Sequence, residues 1–431
     1  MAKRPSRLVY IVDGARTPFL KARSGPGPFT PVDLAVQCGR PLLLRQPFAP
    51  DAFDQVILGC VNVIADEQNP ARVAALRLGC GPAMTAFTVA INCGSGMQSI
   101  DTAFRYIREG SSDLILAGGA EALSHAPLVL NQSAVAWLAT LQGAKSPLDK
   151  AKAASAFRPG MLQPMVGLER GLTDPITDLG MGQTAEILAH DFDISRQAAD
   201  AYAVESHLRL AKAQSQGWLA GEVEPAFAHD GTVFDHDDGV RPDSSVEKLA
   251  MLKPVFERPF GKVTAGNSSQ ITDGASWVIL ASEDAVKTHG LTPRAVLVDS
   301  EWAALAPSIM GLGPVLSSTA LLQRAGLSLG DVDVWELNEA FAAQVLACLA
   351  AWEDEAFCRQ VLGLPGAAGA IDRERLNVDG GAVSLGHPVG ASGNRIVLHL
   401  VTALERLGLK RGIATECIGG GQGGAMLIER V

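Results

Sequence analysis

Three side chains in this sequence combine the types and settings that nucleophilic and proton-transfer chemistry needs: Cys93, His387 and Cys417. Cys93 stands in Asn92-Cys93-Gly94-Ser95-Gly96, between an apolar, β-branched stretch over 86–91 and a helical pattern of Met97, Ile100, Ala103, Phe104 and Ile107 that stops at Gly110. That order predicts a buried strand, a tight turn and a helix. A thiol at the turn lies at the positive end of the helix dipole, which favours thiolate and predicts a depressed pKa. Taken alone, the same setting also suits a small buried cysteine in a tight corner. His387 lies in a glycine-rich turn, Gly386-His387-Pro388, just before a second helical pattern over 391–407, where the dipole disfavours imidazolium and leaves a base. Cys417 ends a strand pattern over 413–418, immediately before Gly419-Gly420-Gly421, and core packing alone would also account for it. Residues 419–424 satisfy GxGxxG, but the segment after them is short and strand-like, which excludes a dinucleotide site.

The elements that must position these groups recur in order. Strand patterns fall at 8–12, 53–59 and 113–120, helices at 32–44 and after the cap Asn69-Pro70, and the turn 13–18 reads as a loop. After the strands 276–281 and 294–299 and a helix over 317–325, Asp333 to Leu337 matches Asp54 to Leu58 in place and type. The helix, strand and glycine series near the end repeats the one that follows Cys93. This self-similarity predicts an α/β protein of two related halves.

Between them, 123–256 changes texture, with Pro, Gln and isolated charges, and predicts an inserted subdomain with helices over 183–188, 196–213 and 249–252. Its apolar stretch 133–141, centred on Trp137, reads as a packed helix. Asp235-His236-Asp237-Asp238 reads as a solvated acidic loop and not a metal site. The division expected is 1–122 with 256–285, an inserted domain at 123–255, and 286–431.

Composition narrows the class. The 431 residues are 47% hydrophobic and 5% aromatic with a formal charge of −10, which argues against nucleic acid and anionic membrane as partners. Seven scattered cysteines without CxxC spacing point to a reducing compartment with neither a disulfide framework nor zinc. Lys3, Arg4 and Arg7 precede only five apolar residues, too few for a signal, and no apolar run reaches membrane-spanning length. A cytoplasmic protein is expected.

Together these stretches resemble the thiolase family. Asn92-Cys93-Gly94-Ser95-Gly96 is similar to its nucleophile motif, Asn338-Glu339-Ala340-Phe341 to its NEAF, Gly386-His387-Pro388 to its GHP and Cys417-Ile418-Gly419 to its CxG. The resemblance implies a five-layered α/β/α/β/α core of two related halves plus an inserted loop domain. It also implies a homodimer or homotetramer, and coenzyme A and its acyl thioesters as substrates, with no metal and no bound cofactor. Cys93 would then be the nucleophile, His387 its base and Cys417 the second acid/base. Asn338 would hold a water that with His387 forms one oxyanion site, and the N–H groups of Cys93 and Gly419 would form the other. Ala265, Gly266 and Ser269 fall where the family contacts the pantetheine arm, and Met181 falls beside the substrate. The length of 128–179, and the lack of a histidine before Met181-Gly182, resemble the β-subunits of fatty-acid oxidation complexes. That points to a partner or membrane contact for the segment. A ketoacyl synthase and a non-catalytic acyl-CoA-binding subunit are the rival readings.

Overall fold

The computed structural model describes residues 7–23 and 25–431, so Lys3 and Arg4 lie outside the described residues. Nine strands run through one ladder: β1 (Val9–Arg16), β2 (Gln55–Gly59), β3 (Thr85–Val89), β4 (Leu114–Ala122), β5 (Thr272–Ser282), β6 (Ala295–Ala304), β7 (Val334–Leu337), β8 (Arg411–Ile418) and β9 (Gln422–Arg430). Their order is β7-β8-β9-β6-β1-β5-β4-β2-β3, with the short strand Leu20–Lys21 paired to β5. The expected duplication is visible in this order. In the first half β1 and β4 flank β5 antiparallel, and β2 runs parallel to β4. In the second, β6 and β8 flank β9 antiparallel, and β7 runs parallel to β8. The halves join where β1 meets β6 through the pairs Tyr10–Val296 and Ile11–Ala295. Even the bulges repeat, after Ile11 in β1 and after Leu297 in β6. Each is followed by an Asp, Asp13 or Asp299, that accepts the next backbone N–H.

Strands buried on both faces need apolar residues at every position, and the alternation then sorts them into layers. In β5, Trp277 and Ile279 face the outer helices α1 (Pro31–Leu44) and α2 (Pro70–Arg77), while Val278 and Leu280 face the central pair α3 (Ser95–Glu109) and α11 (Val389–Leu407). In β9, Met426 and Ile428 face the same central pair, and Leu427 faces the other outer layer, α9 (Gly313–Ala325) and α10 (Ala342–Glu353). Three apolar cores between five layers result. The central helices stop where left-handed glycines, Gly110 and Gly408, cap them.

The inserted region contributes a hairpin of α4 (Gln132–Gly143) and α5 (Pro147–Ser155), then α6 (Met181–Asp191), α7 (Arg196–Ser215) and the short α8 (Val246–Ala250). Helices α6 and α7 lie on α10. Trp137 is packed within the hairpin: its indole donates to Ala153 O at 2.9 Å and its ring meets Phe157. The outer face of α4 is exposed, Val135 included.

Three sequence expectations are corrected. The strand before Cys93 ends at Val89 and is half-exposed rather than buried, because β3 is the last strand of the sheet and pairs only with β2. The supposed loop at 13–18 is in large part strand, since β1 continues through the bulge to Arg16. The acidic loop is not wholly solvated. Asp237 is buried and takes Arg16 in two hydrogen bonds of 2.7 and 2.9 Å.

That pair opens a buried ionic network along α11. Arg16 also donates to Glu222 at 2.8 Å, His399 meets Glu222 at 2.9 Å and Asp379 at 3.4 Å, and Arg395 donates to Glu336 at 3.1 Å. Burial opposes charge on His399, but Glu222, Glu336 and Asp379 more than offset it and hold the imidazolium up to about 10. A raised folded-state pKa stabilises below the ordinary value of 6.5, and that contribution is lost as pH rises towards about 10. His399→Gln should therefore cost about 3–5 kcal/mol near pH 6, as removing one partner from a buried ionic cluster does. Urea midpoints taken across pH should show the deficit shrinking steadily from about pH 6.5 towards about pH 10.

Candidate active site

Cys93 sits on an elbow. Asn92 has a left-handed φ of 45°, and Ser95 stitches the bend by donating to Asn92 O at 2.7 Å and accepting from Ile91 N at 2.9 Å. The CxG segment closes over this turn. Asn92 Nδ2 donates to Gly419 O at 2.8 Å, the Gly419 N–H is directed at the Cys93 thiol, and Gly94 packs on Ile418. Cys417 is fully buried beneath it, in an apolar cluster with Met310, Ala340, Met181 and Phe341, close enough to Cys93 for each thiolate to disfavour the other. Met181, at the start of α6, reaches Gly419, where its sulfur would lie 3.2 Å from an added Cβ.

His387 enters from the second half. Its backbone N–H donates to Gln270 O at 3.0 Å, and its Nδ1 lies 2.6 Å from Ser392 Oγ. Ser392 Oγ also donates to Pro388 O at 3.2 Å, so its own proton is used and it accepts from Nδ1–H. The neutral ring then carries its lone pair on Nε2, which is buried and has no partner among the described residues. Burial, helped by Arg395, pushes His387 down to about 4, so the ring is neutral at physiological pH. Asn338 is buried at the end of β7 with its N–H bonded to Thr415 O at 2.9 Å, and neither side-chain polar atom has a partner among the described residues. Two buried side chains with unused hydrogen-bonding capacity are what a polar reaction centre requires.

The 265–270 loop lies across the NEAF segment. Ser269 N–H donates to Ala340 O at 3.0 Å, and Ala342 N–H donates to Asn267 O at 2.9 Å. Ala265 is exposed and Ser269 half-exposed, while Gly266 is buried against Leu249 and Leu252 near α8. Sequence reasoning overlooked three supporting residues. Ser392 sat inside the glycine-rich stretch without being singled out. Glu339, quoted only as part of the motif, accepts from Tyr202 at 2.8 Å, Ser206 at 2.7 Å, Asn377 at 2.9 Å and Val383 N–H at 3.1 Å. Glu121 was a lone charge in an apolar strand, and that was the available signal.

One electrostatic expectation fails. Burial raises the Cys93 thiol to about 11 and outweighs the Gly419 N–H that favours thiolate. Cys93 is therefore held as a thiol and His387 as a neutral imidazole, so a Cys93 thiolate forms only as a base takes its proton. Haloacetamide should still label Cys93 before the other six cysteines, because those are buried. Its alkylation rate should climb about tenfold per pH unit from 7 to 10. A plateau already reached below pH 7, followed by peptide mass mapping, would instead reveal a resting thiolate–imidazolium pair.

The chain matches the thiolase N-terminal domain over residues 9–284 and the thiolase C-terminal domain over 291–430. It is 40% identical to the β-ketoadipyl-CoA thiolase of Pseudomonas aeruginosa, across 99% of this chain and 100% of that one. It is 36% identical to the mitochondrial trifunctional enzyme subunit beta of Bos taurus, across 100% of this chain and 90% of that one. The crystal structure of human mitochondrial 3-ketoacyl-CoA thiolase in complex with CoA superimposes with a TM-score of 0.84 at 36% identity, over 99% of this chain and 98% of that chain. With two matched domains spanning both halves and the four motifs gathered at one elbow, the chain belongs to the thiolase family of acyl-transferring enzymes.

Proposed function

We propose that Cys93, His387, Cys417, Asn338 and Gly419 carry thiolytic cleavage of a 3-ketoacyl-CoA and, in reverse, condensation of acetyl-CoA. The observation that supports this best is the free, buried Nε2 of a neutral His387 serving the half of the site that holds Cys93. Nε2 takes the Cys93 proton as sulfur attacks the keto carbon, and the new oxyanion is met by the N–H groups of Cys93 and Gly419. The C2–C3 bond then breaks, its electrons forming the enolate of acetyl-CoA. His387, now protonated, and a water held by Asn338 meet the thioester oxygen, and Cys417 gives its proton to the carbanion. In the second half-reaction Cys417 takes the proton of incoming CoA, whose sulfur attacks the acyl-Cys93 thioester. The departing Cys93 sulfur recovers its proton from His387. Every proton is returned.

The rival synthase reading needs no acid/base where Cys417 lies, and a non-catalytic subunit would not need the unused capacity of His387 and Asn338. Ala265, Gly266, Ser269 and Met181 are proposed to border the pantetheine and acyl groups, with CoA the substrate and no bound cofactor. The halves are assigned to 1–122 with 256–285 and to 286–431, around an insert at 123–255. The seven unpaired cysteines support a cytoplasmic setting, and no helix among the described residues is long and apolar enough to cross a membrane. The open, half-apolar edge of β3 supports a homodimer or homotetramer.

Cys417→Ala should still be acylated by acetyl-CoA yet lose roughly a hundred- to ten-thousand-fold in cleavage and condensation, while His387→Ala should fail at both. Exchange of the acetyl methyl hydrogens with deuterated solvent should vanish in Cys417→Ala. Exchange at the wild-type rate would assign that proton to another residue. Initial rates with 3-oxoadipyl-CoA against unbranched 3-ketoacyl-CoA of rising length would fix the substrate, the relatives being named for both classes.

The α4–α5 hairpin is proposed to serve association, whether between copies or with a fatty-acid oxidation partner. Since Trp137 holds the hairpin together, the exposed Val135 and Leu148 are the positions to change. Val135→Ser with Leu148→Ser should alter sedimentation or partner recovery and leave turnover of a short substrate within about twofold, as surface changes away from packing do. Unchanged assembly would remove the hairpin from association.

A further inference from the structure

Helix α11 begins without a cap of its own. Its N-cap residue is Pro388, which has no side-chain acceptor, so the Gly390 N–H in the first turn has no partner within its own segment. The acceptor comes from the other half of the molecule. Glu121, fully buried at the end of β4, accepts from Gly390 N at 3.0 Å. The same carboxylate accepts from Val61 N at 3.2 Å and Asn62 N at 2.9 Å in the turn that follows β2. That turn borders the elbow, since Cys60 N–H donates to Val89 O at the end of the strand leading to Cys93, and Gly59 lies against Ser95. A single carboxyl group thus joins the ground beneath Cys93 to the first turn of the helix that follows His387.

The surrounding packing makes this placement specific. At Gly119, two residues before Glu121, an added Cβ would lie 2.0 Å from Gly390 O, so the helix start rests directly on the strand. At Gly390 an added Cβ would come within 3.0 Å of both Glu121 Oε2 and Cys60 Cα. One turn on, Ser392 holds His387 Nδ1, so any shift of the first turn of α11 moves the imidazole. Burial raises the Glu121 carboxyl to about 7 against the pull of the Asn62, Val61 and Gly390 N–H groups, so the cap is made by its accepting oxygens and not by a full charge.

We infer that Glu121 is a positioning residue for the thiolase reaction: by capping α11 from the opposite half, it sets the distance and angle between the His387 base and the Cys93 nucleophile. The inference rests on the catalytic roles proposed above. It differs from a purely stabilising role because a misplaced base slows proton transfer while substrate binding, made largely by other segments, is spared.

Glu121→Gln keeps the size but replaces one accepting oxygen with an NH2 group set against backbone N–H donors. In steady-state thiolysis its kcat should fall at least about tenfold, towards the hundredfold that a misplacement on the order of 1 Å costs, with KM for CoA changed less than twofold. Ser392→Ala should produce a comparable loss, and the double variant should lose little more than either alone, since both act through the orientation of His387. Glu121→Asp, which keeps both accepting oxygens but withdraws them by one methylene, should fall between wild type and Glu121→Gln, and it provides the same readout if the Gln variant does not fold. A lowered melting temperature with unchanged kcat, equal losses in kcat and binding, or losses that multiply in the double variant would each overturn the inference. A wild-type protein that turns over no 3-ketoacyl-CoA would instead refute the underlying function.

Discussion

The close crossing of α3 and α11 is the contact on which the rest of the structure depends. An added Cβ at Gly96 would stand 2.7 Å from Asn394 N, and one at Gly393 would stand 2.6 Å from Met97 N. No side chain fits between the two backbones, so the helices touch directly in the middle layer. Each starts at its own half's functional turn, and their crossing brings both N-termini to one place. Cys93 and His387, almost three hundred residues apart in sequence, stand at the starts of these two helices because two copies of one unit share that layer.

Burial is the second constraint, and it acts on the chemistry as well as on stability. The layered core that dries the helix starts also removes the water that would solvate a thiolate or an imidazolium. The consequence is a resting site without charge: His387 is pushed down to about 4 and Cys93 up to about 11. Donors and acceptors left without partners at His387 and Asn338 are a cost in the free protein that substrate and water can relieve. The ionic network around His399 shows the other solution, in which buried charges are paired so densely that the ring is held up to about 10. One imidazole stands just before α11 and the other within it, and they differ in whether carboxylates surround the ring.

Much of the fold is legible in the amino-acid order. Periodicity located most of the strands and principal helices, and the matching series after Cys93 and before Cys417 revealed the duplication that the sheet order displays. Errors fell where local pattern and tertiary position part company. A strand such as β3 has the same composition whether it is central or last in the sheet, and only the pairing partners decide. Asp237 looked like part of a solvated run because nothing local indicates that Arg16, more than two hundred residues earlier, is waiting inside.

The same division applies to the site. The amino-acid order by itself determined the turn that carries Cys93, the glycine-flanked His387, the glycine run after Cys417 and the family, because each is a short segment whose residue types are tied to local backbone geometry. It could not determine the electrostatic state of Cys93, since a helix dipole is local but desolvation is summed over all surrounding layers. Nor could it reveal that Ser392 sets the tautomer of His387, or that Glu121 and Glu339 hold segments from distant parts of the chain. Those are pairings between residues whose proximity exists only once the two halves have closed on α3 and α11, and tertiary structure alone decides them.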